Sequence, residues 1–92
     1  MGTSTIRIAT ADDVPVILEL IRGLTEYEKL AHEVVATEAD LRRTLFGERT
    51  VAEVLIAEVD GAPCGFALFF HNYSTFLGRP GIYLEDLFVR PE

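Results

Sequence analysis

The sequence is poor in basic residues and in cysteine, and it contains no long apolar run. Lys and Arg total 8 against 15 Asp and Glu, which gives a net charge of -7. Phosphate backbones are bound by basic surfaces, so nucleic acid is not an expected partner. The single Cys64 excludes an internal disulfide and fits a reducing, cytoplasmic setting. No apolar stretch reaches the roughly 18 residues needed to cross a bilayer, and residues 1–5 lack the pattern of a signal peptide. We therefore expect a cytoplasmic protein without a membrane partner.

Three common kinds of site are also missing from the sequence. No Gly-rich phosphate loop of the Walker or dinucleotide type is present. His32 and His71 are isolated and do not stand at metal-ligand spacing from Cys64 or from a carboxylate pair, so no metal site is expected. Cys64 follows Pro63 in an apolar segment, which favours a small core residue over a nucleophile.

What the 92 residues do contain is the hydrophobic pattern of one small α/β (α+β) domain. The expected elements, in chain order, are a strand over 5–9, a helix over 10–27, a helix between 37 and 47, and strands over 51–59, 64–71 and 82–89. Thr37 followed by Asp40 signals the start of the second helix, and Asp60-Gly61 predicts a hairpin turn. The strand over 64–71 is nearly all apolar, so cover on both faces is expected, whereas residues 73–81 predict a loop.

The last predicted strand carries two adjacent acids, Glu85 and Asp86. Side chains alternate along a strand, which predicts Tyr83, Glu85, Leu87 and Val89 on one face and Ile82, Leu84, Asp86 and Phe88 on the other. The two acids therefore cannot act as a carboxylate pair. Glu85, between Tyr83 and Leu87, is expected in partly apolar surroundings, which suit a general base acting on an ammonium substrate. A structural role for both acids, bonded to loop N–H groups or to an Arg, is an equally open interpretation.

The whole chain resembles the N-terminal half of the GNAT-superfamily N-acetyltransferases, in the branch of diamine (spermidine/spermine) and thialysine acetyltransferases. The residues that carry the resemblance are Ile6-Arg7-Ile8-Ala9-Thr10-Ala11-Asp12-Asp13, Leu20-Ile21, Tyr27-Glu28, Thr37-Glu38-Ala39-Asp40-Leu41, Phe46-Gly47-Glu48, Ala57-Glu58-Val59, Gly65-Phe66-Ala67 and Tyr83-Leu84-Glu85-Asp86-Leu87-Phe88-Val89. The last run is the most specific of them. The resemblance implies the GNAT fold, with a mixed, mostly antiparallel sheet, and residues 1–92 as the N-terminal portion of a single domain.

The resemblance also implies a chemistry. An acetyl group would pass from acetyl-CoA to a primary amine of a diamine, polyamine or lysine-like molecule, by direct attack in a ternary complex. Glu85 would be the general base, and Tyr27 and Glu28, together with Glu85, would bind the amine. Backbone groups of Leu87, Phe88 and Val89 would bind the acetyl-CoA co-substrate. Members of this branch are commonly homodimers, so a homodimer is expected.

Two departures from the family pattern bear on these expectations. Polyamine-acetylating relatives tend to carry an acid after the tyrosine of the loop before the last strand, whereas here Ser74 follows Tyr73, which leaves smaller amines or amino acids open. The resemblance further implies that Glu92 is followed by a Gly-containing loop for the CoA pyrophosphate, and by later strands with the general acid. On that expectation residues 1–92 alone would be inactive.

Two alternatives remain open from the sequence. A non-catalytic small-molecule-binding or interaction module would keep this half of the fold without the chemistry. A structural half-domain that pairs with another chain would cover the nearly uncharged strand over 64–70 on its second face.

Overall fold

The computed structural model describes residues 3–27 and 36–90, which form one four-stranded antiparallel sheet with two helices against one face. The strand order is β1-β2-β3-β4. The elements are β1 (Ser4–Ile8), a 3₁₀ turn (Ala11–Asp13), α1 (Val14–Tyr27), α2 (Glu38–Phe46), β2 (Glu53–Val59), β3 (Ala62–Ser74) and β4 (Arg79–Val89). The predicted order β-α-α-β-β-β is therefore confirmed.

The helix α1 packs on the sheet through one apolar stripe. Its buried residues recur at helical spacing and are Val14, Ile17, Leu18 and Leu20. They join buried residues of the strands in one core, with Val54 and Ile56 from β2, Phe66 from β3 and Phe88 from β4. The core thus fixes α1 across the strands, with its C-terminal end near the end of β4.

The helix α2 begins at the predicted capping box. The Asp40 N–H donates to Thr37 Oγ1 over 3.2 Å, and the Thr37 N–H donates to Asp40 Oδ2 over 3.0 Å. The two bonds satisfy donors that a helix start otherwise leaves unpaired. The pKa of the Asp40 carboxyl lies below its usual range. The main cause is the hydrogen bond from the Thr37 N–H, and the next largest is the hydrogen bond from the Arg43 guanidinium.

A charged cluster ties β1 to the start of α1. The Arg7 guanidinium donates to both carboxylate oxygens of Asp13, over 2.7 and 2.8 Å, and its Nε lies 3.1 Å from Glu58 Oε2 of β2. The Thr10 N–H also donates to Asp13 Oδ2 over 2.7 Å. Asp13 is 8% exposed, and the paired guanidinium with this N–H lowers the pKa of its carboxyl to about 2. The cluster locks the entry of α1 onto the sheet.

The segment over 73–81, predicted as a loop, is mostly strand. The β3–β4 ladder continues through Tyr73↔Pro80 to Ser74↔Arg79, which leaves only a four-residue turn over 75–78. Gly78 has φ +65° in this turn, a conformation open to glycine. The Ser, Thr, Pro and Gly content correctly indicates a turn but overstates its length, because β4 has no paired strand on its other edge in the described ranges and tolerates Pro80 there.

Within residues 3–27 and 36–90 both helices lie on one face of β3, the inner face, so the expected cover on its second face stays a prediction. Phe66 and Leu68 pack into the core, while Ala67 and Phe69 point to the opposite face of the sheet, which we call the outer face. Large apolar side chains are exposed there, namely Ile6, Ile8, Leu84, Leu87 and Val89. Ala67 and Phe69 themselves are half-buried, and the exposed apolar residues of this face come from β1 and β4.

Candidate functional site

Glu85 occupies a β-bulge in the middle of β4. Leu68 pairs with Asp86 and Phe69 pairs with Leu84, so Glu85 is the extra residue without a partner in β3. Its side chain is exposed. The bulge is a local interruption of the ladder, at the residue that the sequence singles out as a base.

The bulge changes the predicted faces of β4. Tyr83 pairs with Phe70, and the two rings stack with centroids 5.1 Å apart, so Tyr83 lies on the inner face with Asp86 and Phe88. Leu84 lies on the outer face with Leu87 and Val89. The prediction of strict alternation is therefore wrong before residue 85, and so are the partly apolar surroundings expected for Glu85. The two acids still lie in different environments, as predicted, because Asp86 is half-buried and Glu85 is exposed.

The last residues of β4 present a free backbone edge. The Arg90 N–H donates to the Cys64 carbonyl over 2.7 Å, and backbone groups alternate between the two sides of a strand. Phe88 therefore faces β3 with its backbone, whereas the N–H and C=O groups of Leu87 and Val89 face outward. Within residues 3–27 and 36–90 no strand pairs with this edge. The side chain of Phe88 is buried, and those of Leu87 and Val89 are exposed.

A groove of about 870 Å³ lies between α1, the start of α2 and the end of β4. Among the described residues its polar lining consists of Glu19, Arg22, Glu26, Tyr27, Glu38 and Arg90, and Pro15, Leu18 and Phe88 contribute its apolar part. Gly23 lets the helix approach closely, because a Cβ there would lie 3.2 Å from the Phe88 ring. The groove has the size and the mixed lining of a small-molecule site.

The groove contains some of the predicted residues and omits others. Tyr27 and Phe88 both line it, although they are far apart in sequence. Glu85, Leu87 and Val89 are not part of its lining. Glu28 lies outside the described residues.

Ion pairs hold two of the groove's walls in place. Arg90 Nη2 lies 2.5 Å from Glu19 Oε1, which joins the end of β4 to α1. Glu38 pairs with Arg42 one turn further along α2, over 3.6 Å.

Sequence reasoning missed Arg22 and Arg90 as groove residues. The helical spacing of Glu19, Arg22 and Glu26 on one side of α1 was the available signal, but it does not reveal what lies opposite.

The remaining candidates behave as surface or structural groups. His71 Nε2 lies 3.0 Å from Glu53 Oε2 at an exposed position, which agrees with a hydrogen-bonded surface histidine, and His32 lies outside the described residues. Cys64 is a free, half-buried cysteine. No group of three or more potential metal ligands occurs in the described part of the chain. No helix among residues 3–27 and 36–90 is long and apolar enough to cross a membrane.

Comparison with known proteins gives a consistent family. No protein-family model matches the chain. Thialysine N-ε-acetyltransferase of Bos taurus is 44% identical, over 100% of this chain and 58% of the relative. L-ornithine N5-acetyltransferase of Arabidopsis thaliana is 31% identical, over 95% of this chain and 58% of the relative. The chain thus spans a little over half the length of these curated relatives.

The fold has counterparts among solved structures. An aminoglycoside acetyltransferase from an uncultured soil metagenomic sample superposes with a TM-score of 0.77 at 18% identity. The match covers 96% of this chain and 57% of that one. At this identity the likeness concerns the fold alone.

Proposed function

The chain belongs to the GNAT superfamily of N-acetyltransferases, in the branch of thialysine and diamine acetyltransferases, and from this premise we propose that the intact protein acetylates a primary amine of a small molecule with acetyl-CoA. The observation that carries the proposal is the 44% identity over the whole chain, together with a groove that ends at β4, the strand of Glu85. The relatives' names point to lysine-like and ornithine-like amines as the substrate class.

The proposed reaction is a direct transfer. The substrate ammonium gives a proton to Glu85, directly or through one water, and becomes a free amine. Its nitrogen then attacks the thioester carbonyl carbon, the new N–C bond forms, and the C–S bond breaks. The nitrogen loses its second proton as the amide forms, and the sulfur leaves as a thiolate, which takes up a proton. The exposed position of Glu85 at the bulge supports the role of base, because such a carboxylate is open to both substrate and water.

The end of β4 fits the co-substrate. The pantetheine arm of acetyl-CoA is an extended chain with two amides, and the outward N–H and C=O groups of Leu87 and Val89 are the partners that an added strand would use. Phe88 has its backbone turned to β3, so its side chain supports this edge from the core. Of the three predicted cofactor residues, we therefore assign the backbone contacts to Leu87 and Val89.

The amine site is proposed around the groove. Tyr27 lines it at the end of α1, and Glu28 follows in the sequence. The described lining holds three acids and two arginines, a small excess of negative charge, and the protein carries a net charge of -7, which attracts cationic amines. The same charge disfavours nucleic acid as a partner.

The proposal for the whole molecule follows the family. Residues 1–92 form the N-terminal portion of one GNAT domain, whose remaining part carries the CoA pyrophosphate loop and the general acid. We further propose a cytoplasmic homodimer. The free Cys64 supports a reducing compartment, and the dimer is proposed from the family resemblance alone. Sedimentation of the full-length protein tests the dimer.

Thiol release tests the proposed function. Full-length protein is incubated with acetyl-CoA and a panel of diamines, polyamines, ornithine and lysine analogues, and free CoA thiol is measured against a control without amine. The proposal expects thiol release that depends on the amine. Release at the background level with every amine would instead favour a non-catalytic module.

A further inference from the structure

Two oppositely charged side chains of the groove have no partner among residues 3–27 and 36–90. Five charged residues of these ranges line the groove, and three of them, Glu19, Arg90 and Glu38, are held in ion pairs. The other two are Arg22 and Glu26. Neither forms an ion pair or a side-chain hydrogen bond with any residue in 3–27 or 36–90, and both are exposed to the groove. Within the described part of the chain, the groove therefore offers one free cation and one free anion.

The spacing of these two charges is that of one helical turn. Arg22 and Glu26 stand four residues apart on α1, which places their Cβ atoms about 5–6 Å from one another on the same side of the helix. Gly23 lies beside them against the Phe88 ring, so this ring forms the apolar floor of the groove next to the two charges. A ligand that carries a carboxylate and an ammonium on one carbon would match this pair of charges with both of its groups.

We propose that Arg22 and Glu26 recognise the α-amino-acid head group of the substrate, with Arg22 on the α-carboxylate and Glu26 on the α-ammonium. This inference rests on the proposed function and adds to it the residues that select amino acids over diamines. The side-chain amine of the same molecule is then left for the acetyl transfer.

The dimensions of β4 agree with this assignment. Phe88 lines the groove, and Glu85 precedes it by three residues, which is at most about 10 Å along an extended strand. That separation is of the order of an extended ornithine or lysine side chain with one bridging water. Glu19 pairs with Arg90 and Gly23 contacts Phe88, so α1 runs antiparallel to the end of β4 and its last turn lies towards Glu85. A head group at Arg22 and Glu26 thus leaves the far amine in the direction of the proposed base.

The two residues differ in what they discriminate. A diamine has a second ammonium for Glu26 but no carboxylate for Arg22, so Arg22 stays unpaired when a diamine binds. Guanidinium–carboxylate bonds are charge-assisted and directional, whereas Glu26 interacts with either kind of substrate. Selectivity for amino acids is therefore expected from Arg22 alone.

The test compares ornithine with 1,4-diaminobutane, which has the same amine spacing but no carboxylate. For the full-length protein, kcat/KM is measured with both substrates for the wild type, Arg22→Gln and Glu26→Gln. Arg49→Gln and Glu48→Gln are matched controls, since both residues are exposed and outside the groove lining. Arg22→Gln should lower kcat/KM for ornithine about tenfold or more and change that for the diamine less than about threefold. Glu26→Gln should lower both, and the controls neither.

Equilibrium binding of the two ligands in the absence of acetyl-CoA gives an independent readout. Loss of ornithine affinity in Arg22→Gln, with diamine affinity kept, supports the inference even if the wild type shows no turnover, in which case only the proposed function fails. An equal effect of Arg22→Gln on both ligands, no effect on either, or a wild type that binds the diamine and not ornithine would overturn it.

Discussion

At the scale of single residues, Glu85 shows how far sequence and structure agree. The sequence singles it out because an acid is unusual in an apolar strand, and that signal needs no structure. Its surroundings could not be predicted, since alternation along β4 holds only if the ladder is unbroken. The bulge between Leu84 and Asp86 breaks it and moves Tyr83 to the inner face. No feature of the run Tyr83–Val89 marks where an extra residue is inserted.

Removing the carboxylate of Glu85 tests its role. Glu85→Gln in the full-length protein should lower kcat/KM by about a hundredfold or more, the usual contribution of a general base. The loss should be largest at low pH, because amine substrates with pKa values near 10 are then almost fully protonated. Glu48→Gln is the matched control. The pH dependence of kcat/KM is the measurement, and a variant profile parallel to that of the wild type would remove Glu85 as the base.

Asp13 is the residue whose titration bears on stability. Its folded pKa of about 2 lies below its ordinary value of 3.8, so its contribution is present above pH 4 and is lost as the pH falls from about 4 to 2. Asp13→Asn should lower the free energy of unfolding by about 2 kcal/mol at neutral pH, because Arg7 loses its bidentate partner.

The pH series separates this contribution from a general packing defect. Denaturant unfolding of the wild type and Asp13→Asn should differ most near pH 7, and the difference should narrow as the pH falls through 4. Asp12→Asn, at an exposed neighbouring position, should behave like the wild type. A difference that stays constant down to pH 2 would assign the loss to packing instead.

At the scale of elements, the helices and the first hairpin follow local signals, whereas the long hairpin does not. Thr37 with Asp40 and the Asp60-Gly61 turn have specific geometries that the sequence encodes within a few residues. The extension of β3 to Ser74 and of β4 back to Arg79 depends on pairing between the two strands, which composition does not report.

Gly65 illustrates how tightly β3 and β4 approach. A Cβ at this position would lie 2.6 Å from the Phe88 carbonyl oxygen, a backbone atom that cannot move without the strand. Gly65→Ala should therefore lower the free energy of unfolding by about 2 kcal/mol or more. Gly23→Ala is the comparison, since its Cβ would meet only the Phe88 ring at 3.2 Å and the helix gains about 1 kcal/mol in propensity. Denaturant unfolding measures the free energy of unfolding of both variants. An unchanged free energy of unfolding in Gly65→Ala would contradict the close approach of β3 and β4.

At the scale of the whole molecule, the outer face is the dominant feature. Ile8 is 73% exposed and Leu87 is 63% exposed, and they lie in one row across the sheet through Leu55 and Ala67. A contiguous apolar surface of this kind mediates association or aggregation. The chain of 92 residues on its own should therefore self-associate as its concentration rises, as measured by sedimentation velocity.

Charges on that face should weaken the association. Ile8→Lys combined with Leu87→Lys is expected to shift the isolated chain towards monomer. Phe76→Lys is the control, because Phe76 is 99% exposed but lies in the turn at the far end of the long hairpin. Equal loss of association with Phe76→Lys would show that general hydrophobicity, and not the outer face, is responsible.

The groove also belongs to the scale of the whole molecule, because its walls come from α1, α2 and β4. Tyr27 was predicted through a family resemblance, while Arg22 and Arg90 required the packing of α1 against the end of β4. The resemblance was the stronger guide to chemistry, and the structure was needed to bring the partners together.

Identification of the product tests the central claim most directly. Full-length protein is incubated with acetyl-CoA and ornithine, and the amino acid is analysed by mass spectrometry and NMR. We expect ornithine with a single acetyl group on its side-chain nitrogen, formed together with an equal amount of free CoA. Ornithine, lysine analogues and diamines that all remain unacetylated would contradict the assignment of this protein as an amine acetyltransferase.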